Sequence, residues 1–193
     1  CWILGCCKEN WRLFSRHYIV RGLNAMSSID LLILGMVLER PMSAYELQKD
    51  VEAHHLSRWT KISTPSVYKK TLQLRERGYL SGERFGDKTV YSATEAGRAY
   101  FEELMEAYAE RETPLTFDFN VVVANLNKLE KLRALELVSK LRGSFERSRE
   151  RNRGYAAEFA DIPLTGRAII EQQGRLYGAL LDWLDEFERE LRQ

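Results

Sequence analysis

The sequence predicts a mainly α-helical protein, in which an N-terminal winged helix-turn-helix with a small β-hairpin wing precedes an all-helical C-terminal dimerisation region. Residues 63–80 read as one amphipathic helix that stops at Gly78, a residue suited to a helix end. Two β-like runs, 79–85 and 89–93, follow around Gly86-Asp87, a natural tight hairpin turn. A helix followed at once by a hairpin is the order of elements in a winged helix.

Capping residues and apolar runs predict the other elements of the first region. Residues 29–38 are strongly apolar, which predicts a buried first helix. Ser43 and Glu46 have the spacing of a capping box, so we expect a second helix over residues 43–54. After the wing, Thr94 is placed to cap a further helix that continues to residue 112.

The helix at 63–80 has two faces of different chemistry. The side predicted to face the core consists of Val67, Thr71 and Leu74. The side predicted to face solvent consists of Ser66, Lys69 and Gln73, flanked by Tyr68 and Lys70. Although the net charge of the chain is only +1, the window 54–77 carries an excess of about five positive charges. Because phosphate contacts need such a local excess, we expect this helix to read DNA.

These motifs resemble those of the PadR-type winged-helix transcriptional regulators over residues 31–97. The matching pieces are Leu32-Ile33-Leu34-Gly35, Pro41 with Ala44-Tyr45-Glu46-Leu47, Thr64-Pro65-Ser66-Val67-Tyr68, Gly78-Tyr79-Leu80, and Tyr91 with Thr94-Glu95-Ala96-Gly97-Arg98. Phe117-Asp118-Phe119 also resembles the start of the helical region in part of the family. The resemblance implies a homodimeric repressor that binds a palindromic double-stranded DNA operator and is released by a small aromatic effector.

The chain departs from the pattern of the family at Ala44, within the helix at 63–80 and in the wing. Ala44 stands where glycine is usual, and Thr71 stands where leucine is usual. Leu72 occupies a usually polar position, and we expect it to point outward, towards a thymine methyl or another part of the protein. The wing has Gly86-Asp87-Lys88-Thr89 in place of several basic residues.

The expected DNA contacts follow from the outward face. Base edges in the major groove are assigned to Ser66, Lys69 and Gln73. Phosphate contacts are assigned to Thr64, Tyr68 and Lys70, with a further backbone contact from Tyr45 and groove contacts from Arg84 and Lys88 on the wing. In one alternative, Tyr68 packs against the wing and Lys69 and Lys70 are merely solvated. In another, the surface of Tyr68 and Lys69 docks an acidic partner, and the domain is a protein–protein interaction module without specific DNA binding.

The domain organisation is expected to comprise three segments. Residues 1–25 are interpreted as an upstream extension or flexible arm, 26–112 as the DNA-binding domain and 113–193 as the helical dimerisation domain. Asp118 is expected to cap a helix that continues to Phe145 and beyond, with a bend near Gly143.

The last predicted helix, which follows Pro163 and Gly166, carries a coiled-coil seam. Its residues recur at spacings of four and three, in the order Ile169, Gln173, Leu176, Leu180, Trp183 or Leu184, Phe187 and Leu191. The seam either packs within its own chain or forms a dimer interface, which we favour. A twofold dimer would also set two reading helices about 34 Å apart, one DNA turn.

Several other functions lack support in the sequence. The three cysteines lie within residues 1–7, so we expect no disulfide framework. We also expect no metal site, no cofactor and no enzymatic activity, because no metal-ligand spacing, phosphate loop or nucleophile elbow occurs. The start of the chain does not resemble a signal peptide or membrane span, which favours a cytoplasmic protein.

Two aromatic residues and two histidines remain to be assigned. Trp59 and Trp183 are candidate contacts for a flat effector, although a large ring at helical spacing usually fills a core. His54 and His55 are expected to end a helix near its negative pole rather than bind metal.

Overall fold

The computed structural model describes residues 27–56, 62, 64–159 and 161–193. The chain divides into two compact units, the first ending at Glu112 and the second running from Thr113 to Gln193. The predicted arm at 1–25 lies outside the described residues. Within the described ranges, no helix is both long enough and apolar enough to cross a membrane.

The first unit is a winged helix-turn-helix. Its elements are α1 (Ser28–Glu39), β1 (Met42–Ser43), α2 (Ala44–Ala53), α3 (Thr64–Glu76), β2 (Leu80–Phe85), β3 (Lys88–Ala93) and α4 (Glu95–Glu110). The antiparallel sheet has the order β1-β3-β2, with Met42 opposite Tyr91 and Phe85 opposite Lys88 at the hairpin tip. Gly86 adopts a φ of 60° in the tip, as a tight hairpin turn requires. This architecture confirms the predicted fold class.

Local side-chain hydrogen bonds fix where the helices of this unit begin. The Ser43 backbone N–H donates to Glu46 Oε2 at 2.7 Å, and the Glu46 N–H donates to Ser43 Oγ at 3.3 Å, which completes the predicted capping box. Thr94 Oγ accepts from the Gly97 N–H at 3.0 Å and donates to the Gly78 carbonyl at 2.8 Å. Thr94 therefore caps α4, as predicted, and also ties it to the end of α3.

The core of the first unit lies between α1, α2, α3, α4 and the sheet. Its fully buried side chains include Ile33, Leu34, Met42, Leu47, Val67 and Leu74. All three positions predicted for the inner face of α3 belong to the buried set. Helix α3 is thus held by one face against a packed core.

The second unit is a helical hairpin. A short helix, α5 (Asn120–Val123), and a 3₁₀ turn (Leu126–Lys128) precede the long helices α6 (Lys131–Glu158) and α7 (Leu164–Arg192). The long helices run antiparallel, because Lys131 Nζ donates to the Arg192 carbonyl near one end and Asn152 Nδ2 donates to the Ile170 carbonyl towards the other. Their shared core consists of Leu126, Ala134, Val138, Phe145, Leu181 and Leu184.

The prediction of one helix capped by Asp118 was wrong. Phe119 precedes α5 without a side-chain cap, and the chain is extended at Leu129 and Glu130 before α6 begins. The interruption places Leu126, which is 2% exposed, in the core of the hairpin. The helix is continuous through Gly143, and α7 begins before Gly166 rather than after it.

Candidate nucleic-acid interface

The inner face of α3 is anchored by apolar contacts and one satisfied hydroxyl. Val67 and Thr71 are 0% exposed and Leu74 is 1% exposed. Thr71 stands at the position where leucine is usual in the family. Its hydroxyl donates to the Val67 carbonyl at 2.9 Å, so this buried polar group has a hydrogen-bond partner. Leu72, predicted to point outward, is instead half-buried and packs against this core.

The outer face of α3 presents polar side chains to solvent. Tyr68 is 54% exposed, and Lys69 beside it is exposed and makes no ion pair with any described residue. Ser66 and Gln73 are half-buried on the same helix. The side chain of Thr64, like Trp59, lies outside the described residues. A cationic and aromatic ridge of this kind can meet a negatively charged groove.

Lys70 differs from its neighbour because it is paired inside the protein. Its Nζ lies 3.2 Å from Oδ1 of Asp30, whose side chain is 4% exposed in the first turn of α1. Arg77, just after α3, approaches the other oxygen of the same carboxylate at 3.7 Å. The predicted outward basic patch is therefore smaller than the sequence suggests.

Arg77 also lies against two aromatic rings that the sequence analysis did not assign to the site. The rings of Tyr79 and Tyr100 stack with a centroid separation of 4.3 Å. The guanidinium carbon of Arg77 lies 4.9 Å from the first centroid and 5.2 Å from the second. Cation–π attraction therefore holds Arg77 at the junction of α3, the wing and α4.

The wing carries balanced charge and one exposed aromatic ring. Arg84 and Lys88 are exposed, as are the acidic residues Glu83 and Asp87. Arg84 Nε donates to the Gly86 carbonyl at 3.1 Å, so this side chain folds back on the turn. Phe85, which was not predicted as a contact, is 62% exposed at the tip.

Tyr45 lies at the start of α2 with 63% of its surface exposed, and Lys49 Nζ lies 5.7 Å from its ring centroid. Next to it, the pKa of Glu46 is lowered, first by the backbone N–H of Ser43 and then by the Ser43 hydroxyl. Both donors favour the charged carboxylate. Because the capping box fixes the start of α2, it also fixes the position of Tyr45.

The two histidines end α2 as predicted. His54 is the C-cap residue and its Nδ1 lies 2.9 Å from the Asp50 carbonyl oxygen, while His55 has a φ of 50°. No group of His, Cys, Asp or Glu within the described part of the chain has the arrangement of a metal site.

The seam predicted on the last helix is divided between the core of the hairpin and its surface. Leu184, predicted at the dimer interface, is 0% exposed, so that assignment was wrong: its side chain packs within its own chain. Leu180, Phe187 and Leu191 are half-buried against the same core, and Ile169 is half-buried. Leu176 and Trp183 remain 37% and 36% exposed.

Further apolar surface of the second unit comes from residues that the sequence analysis passed over. Val121, Leu132 and Leu164 are 69%, 79% and 72% exposed. Exposed large apolar side chains in one small unit favour contact with another surface. The seam predicted from the sequence did not include them, because Val121 and Leu132 precede the last helix and Leu164 lies before its predicted start.

Several aromatic rings surround Trp183. Its ring stacks on Phe187 with a centroid separation of 5.8 Å and lies 6.1 Å from the ring of Phe119. Phe119 also packs edge-on against Phe145 at 4.9 Å. Trp183 therefore lies at the exposed edge of an aromatic cluster, and Phe145 connects this cluster to the core of the helical hairpin.

Comparison with known proteins supplies a match at the level of structure. No protein-family model and no curated protein matches the sequence. Bacillus subtilis PadR in complex with operator DNA is 14% identical, and the match covers 86% of this chain and 99% of that chain with a TM-score of 0.69. The chain has the PadR-type winged-helix fold.

The same PadR-type fold is found in related solved structures. Bacillus subtilis PadR in complex with p-coumaric acid is 12% identical, with 89% of this chain and 99% of that chain covered and a TM-score of 0.72. The Vibrio cholerae virulence activator AphA is 19% identical, with 86% and 98% covered and a TM-score of 0.65. The motif-based resemblance to the PadR-type regulators is thus confirmed at the level of the fold.

Proposed function

We propose that this protein is a transcription regulator, without enzymatic activity, that reads double-stranded DNA with α3. The observation that carries the proposal is the division of α3 into a fully buried face and a face that exposes Tyr68 and Lys69. A helix anchored in this way can enter the major groove without unfolding any core contact. PadR, which has the same fold, is in complex with operator DNA, and this supports the proposal.

The residues of the outer face are proposed to divide between base and phosphate contacts. Base edges are the proposed partners of Ser66, Lys69 and Gln73. Phosphates are the proposed partners of Tyr68 and Tyr45, together with the Thr64 hydroxyl. Because the positive and negative charges of the wing balance, Arg84 and Lys88 are proposed to contribute only weak contacts with a neighbouring groove.

The regulator is proposed to act as a homodimer on a palindromic operator. The exposed parts of the second unit supply the proposed interface, with Leu176 and Trp183 contributing the part of the α7 seam that its own chain leaves open. Burying such side chains against a second copy would remove apolar surface from water and would pair two recognition helices.

A small aromatic effector and a repressor role complete the proposal. The aromatic cluster at Trp183 offers a flat apolar surface, and PadR is also found in complex with p-coumaric acid. An effector that binds near a dimer interface can alter DNA affinity only if it favours one arrangement of the two subunits.

Selection from a random pool of duplexes tests the function directly. We expect the protein to enrich a palindromic sequence, and Lys69→Ala to weaken binding to it by about tenfold or more, because a base contact contributes about 1–3 kcal/mol. Lys140→Ala removes an exposed positive charge from α6 and serves as the matched control. Failure to enrich any sequence, together with salt-insensitive binding, would instead favour the protein–protein interaction module.

A further inference from the structure

The carboxylate of Asp30 is a buried charge that DNA reading does not by itself require. Asp30 is 3% exposed, in the first turn of α1, where its backbone N–H lies 3.4 Å from the capping Ser27 Oγ. Its Oδ1 is the only buried side-chain polar atom in the described part of the chain that makes no hydrogen bond. A buried charge without hydrogen bonds is costly and depends on a nearby opposite charge.

That opposite charge comes chiefly from the recognition helix. Lys70 Nζ lies 3.2 Å from Oδ1, close enough for an ion pair although its alignment does not make a hydrogen bond. The side chain of Lys70 is 30% exposed, so part of it remains accessible from outside the protein. Lys70 is thus positioned between a buried carboxylate and the surface proposed to meet DNA.

The second cation near Asp30 is held by other contacts as well. Arg77 lies 3.7 Å from Oδ2, and its guanidinium also lies over the rings of Tyr79 and Tyr100. Removing the carboxylate would leave Arg77 on those rings but would leave Lys70 without an anionic partner. The carboxylate of Asp30 therefore mainly affects the position and pairing of Lys70.

We propose that Asp30 competes with DNA phosphates for Lys70 and thereby limits the affinity and salt dependence of DNA binding. The inference rests on the proposed function, since it assumes that α3 approaches a duplex. A lysine paired with a protein carboxylate releases no counterion from DNA, whereas each lysine that neutralises a phosphate adds about 0.9 to the slope of log K against log salt. Asp30 is in this sense a positioning residue, acting on DNA through Lys70.

The experiment measures that slope on mixed-sequence duplex DNA for the full chain. Asp30→Asn should bind DNA more tightly than the parent protein and should steepen the slope by about one. The ratio of the two affinities should therefore fall about threefold between ~50 and ~200 mM salt. Lys70→Gln should leave the slope nearly unchanged when Asp30 is present. The double variant, Asp30→Asn with Lys70→Gln, should return to the parent slope.

Two results would overturn the inference. One is a fall of about one in the slope for Lys70→Gln alone, since Lys70 would then already neutralise a phosphate. The other is a double variant as steep as Asp30→Asn, which would mean that the carboxylate acts through its long-range field. If Asp30→Asn fails to fold, a fall of about one in the slope for Lys70→Gln in the parent protein still overturns the inference.

Lys69→Gln separates this inference from the function on which it rests. Lys69 is exposed and has no acidic partner among the described residues, so loss of its proposed base contact should weaken binding to the enriched palindrome by about tenfold, with or without Asp30. If Lys69→Gln changes nothing and no duplex sequence is enriched, DNA reading itself is refuted. If Lys69→Gln behaves as expected but the Asp30 and Lys70 variants do not, only the competition is refuted.

Discussion

Gly97→Ala should weaken the first unit, and with it the proposed DNA binding, because there is no room for a methyl group at the base of the wing. A Cβ at Gly97 would lie 3.0 Å from the carbonyl carbon of Tyr79 and would overlap with the oxygen. Carbon atoms pack at about 3.5 Å or more, so α4 would have to retreat by about 0.5 Å for the carbon alone, and further for the oxygen. The Tyr79 carbonyl belongs to the backbone, so it cannot rotate out of the way as a side chain could.

Overpacking of this kind costs about 1–3 kcal/mol, and we expect the upper half of that range for Gly97→Ala. The retreat would also strain the hydrogen bond from Thr94 to Gly78, which ties α4 to the end of α3. Urea unfolding followed by circular dichroism gives the change in free energy of unfolding.

Gly35→Ala is the matched control in the same unit. Its new Cβ would meet Phe101 at 3.5 Å, an ordinary contact, within helix α1. The higher helix propensity of alanine should then make this variant neutral or more stable by up to about 1 kcal/mol. Equal effects of the two substitutions, or a loss below about 0.5 kcal/mol for Gly97→Ala, would refute the packing argument.

Three further predictions test the second unit and the capping box. Leu184→Ala should lower the free energy of unfolding of the helical hairpin by about 3 kcal/mol in denaturant titration, because its side chain is fully buried. Leu176→Asp with Trp183→Asp should instead give a monomer by light scattering, and an unchanged dimeric mass would reject the proposed interface. Glu46→Gln should cost about 1 kcal/mol near neutral pH, where the charged carboxylate accepts from Ser43. Because the folded pKa of Glu46 is lowered from 4.5, its contribution is present above that value and is lost as pH falls through the lowered pKa. The difference from the parent protein should therefore disappear in acid, and a constant difference across the titration would contradict the argument.

Local sequence was enough to locate most elements of the first unit. The bonds between Ser43 and Glu46, and between Thr94 and Gly97, join residues three positions apart, so their spacing can be read without knowing the fold. Gly86 likewise marks the hairpin tip by its own backbone freedom. Each of these signals depends on neighbours along the chain.

The prediction failed where a distant contact outweighed the local pattern. Residues 118–145 have a helical apolar period, yet the chain breaks into α5, a 3₁₀ turn and α6 so that Leu126 reaches the core of the hairpin. Leu72 shows the same effect on a smaller scale, since it packs against the core instead of pointing outward. Burial of apolar surface compensates for the helical hydrogen bonds that are lost at the break. The apolar period of the sequence does not predict such a contact, because it depends on a distant part of the chain.

The sequence by itself determined the winged helix, the buried face of α3 and the amphipathic nature of the last helix, because those follow from period, caps and turn residues. Only the tertiary structure decided which of two similar side chains is available to a partner. Lys69 and Lys70 are adjacent and identical in type, but a carboxylate 40 positions earlier in the chain, at Asp30, pairs with one and leaves the other exposed. Leu176 and Leu184 belong to one seam, but α6 covers the second and leaves the first open. Electrostatic and apolar contacts act through space, so a linear pattern gives the candidates and the folded chain selects among them.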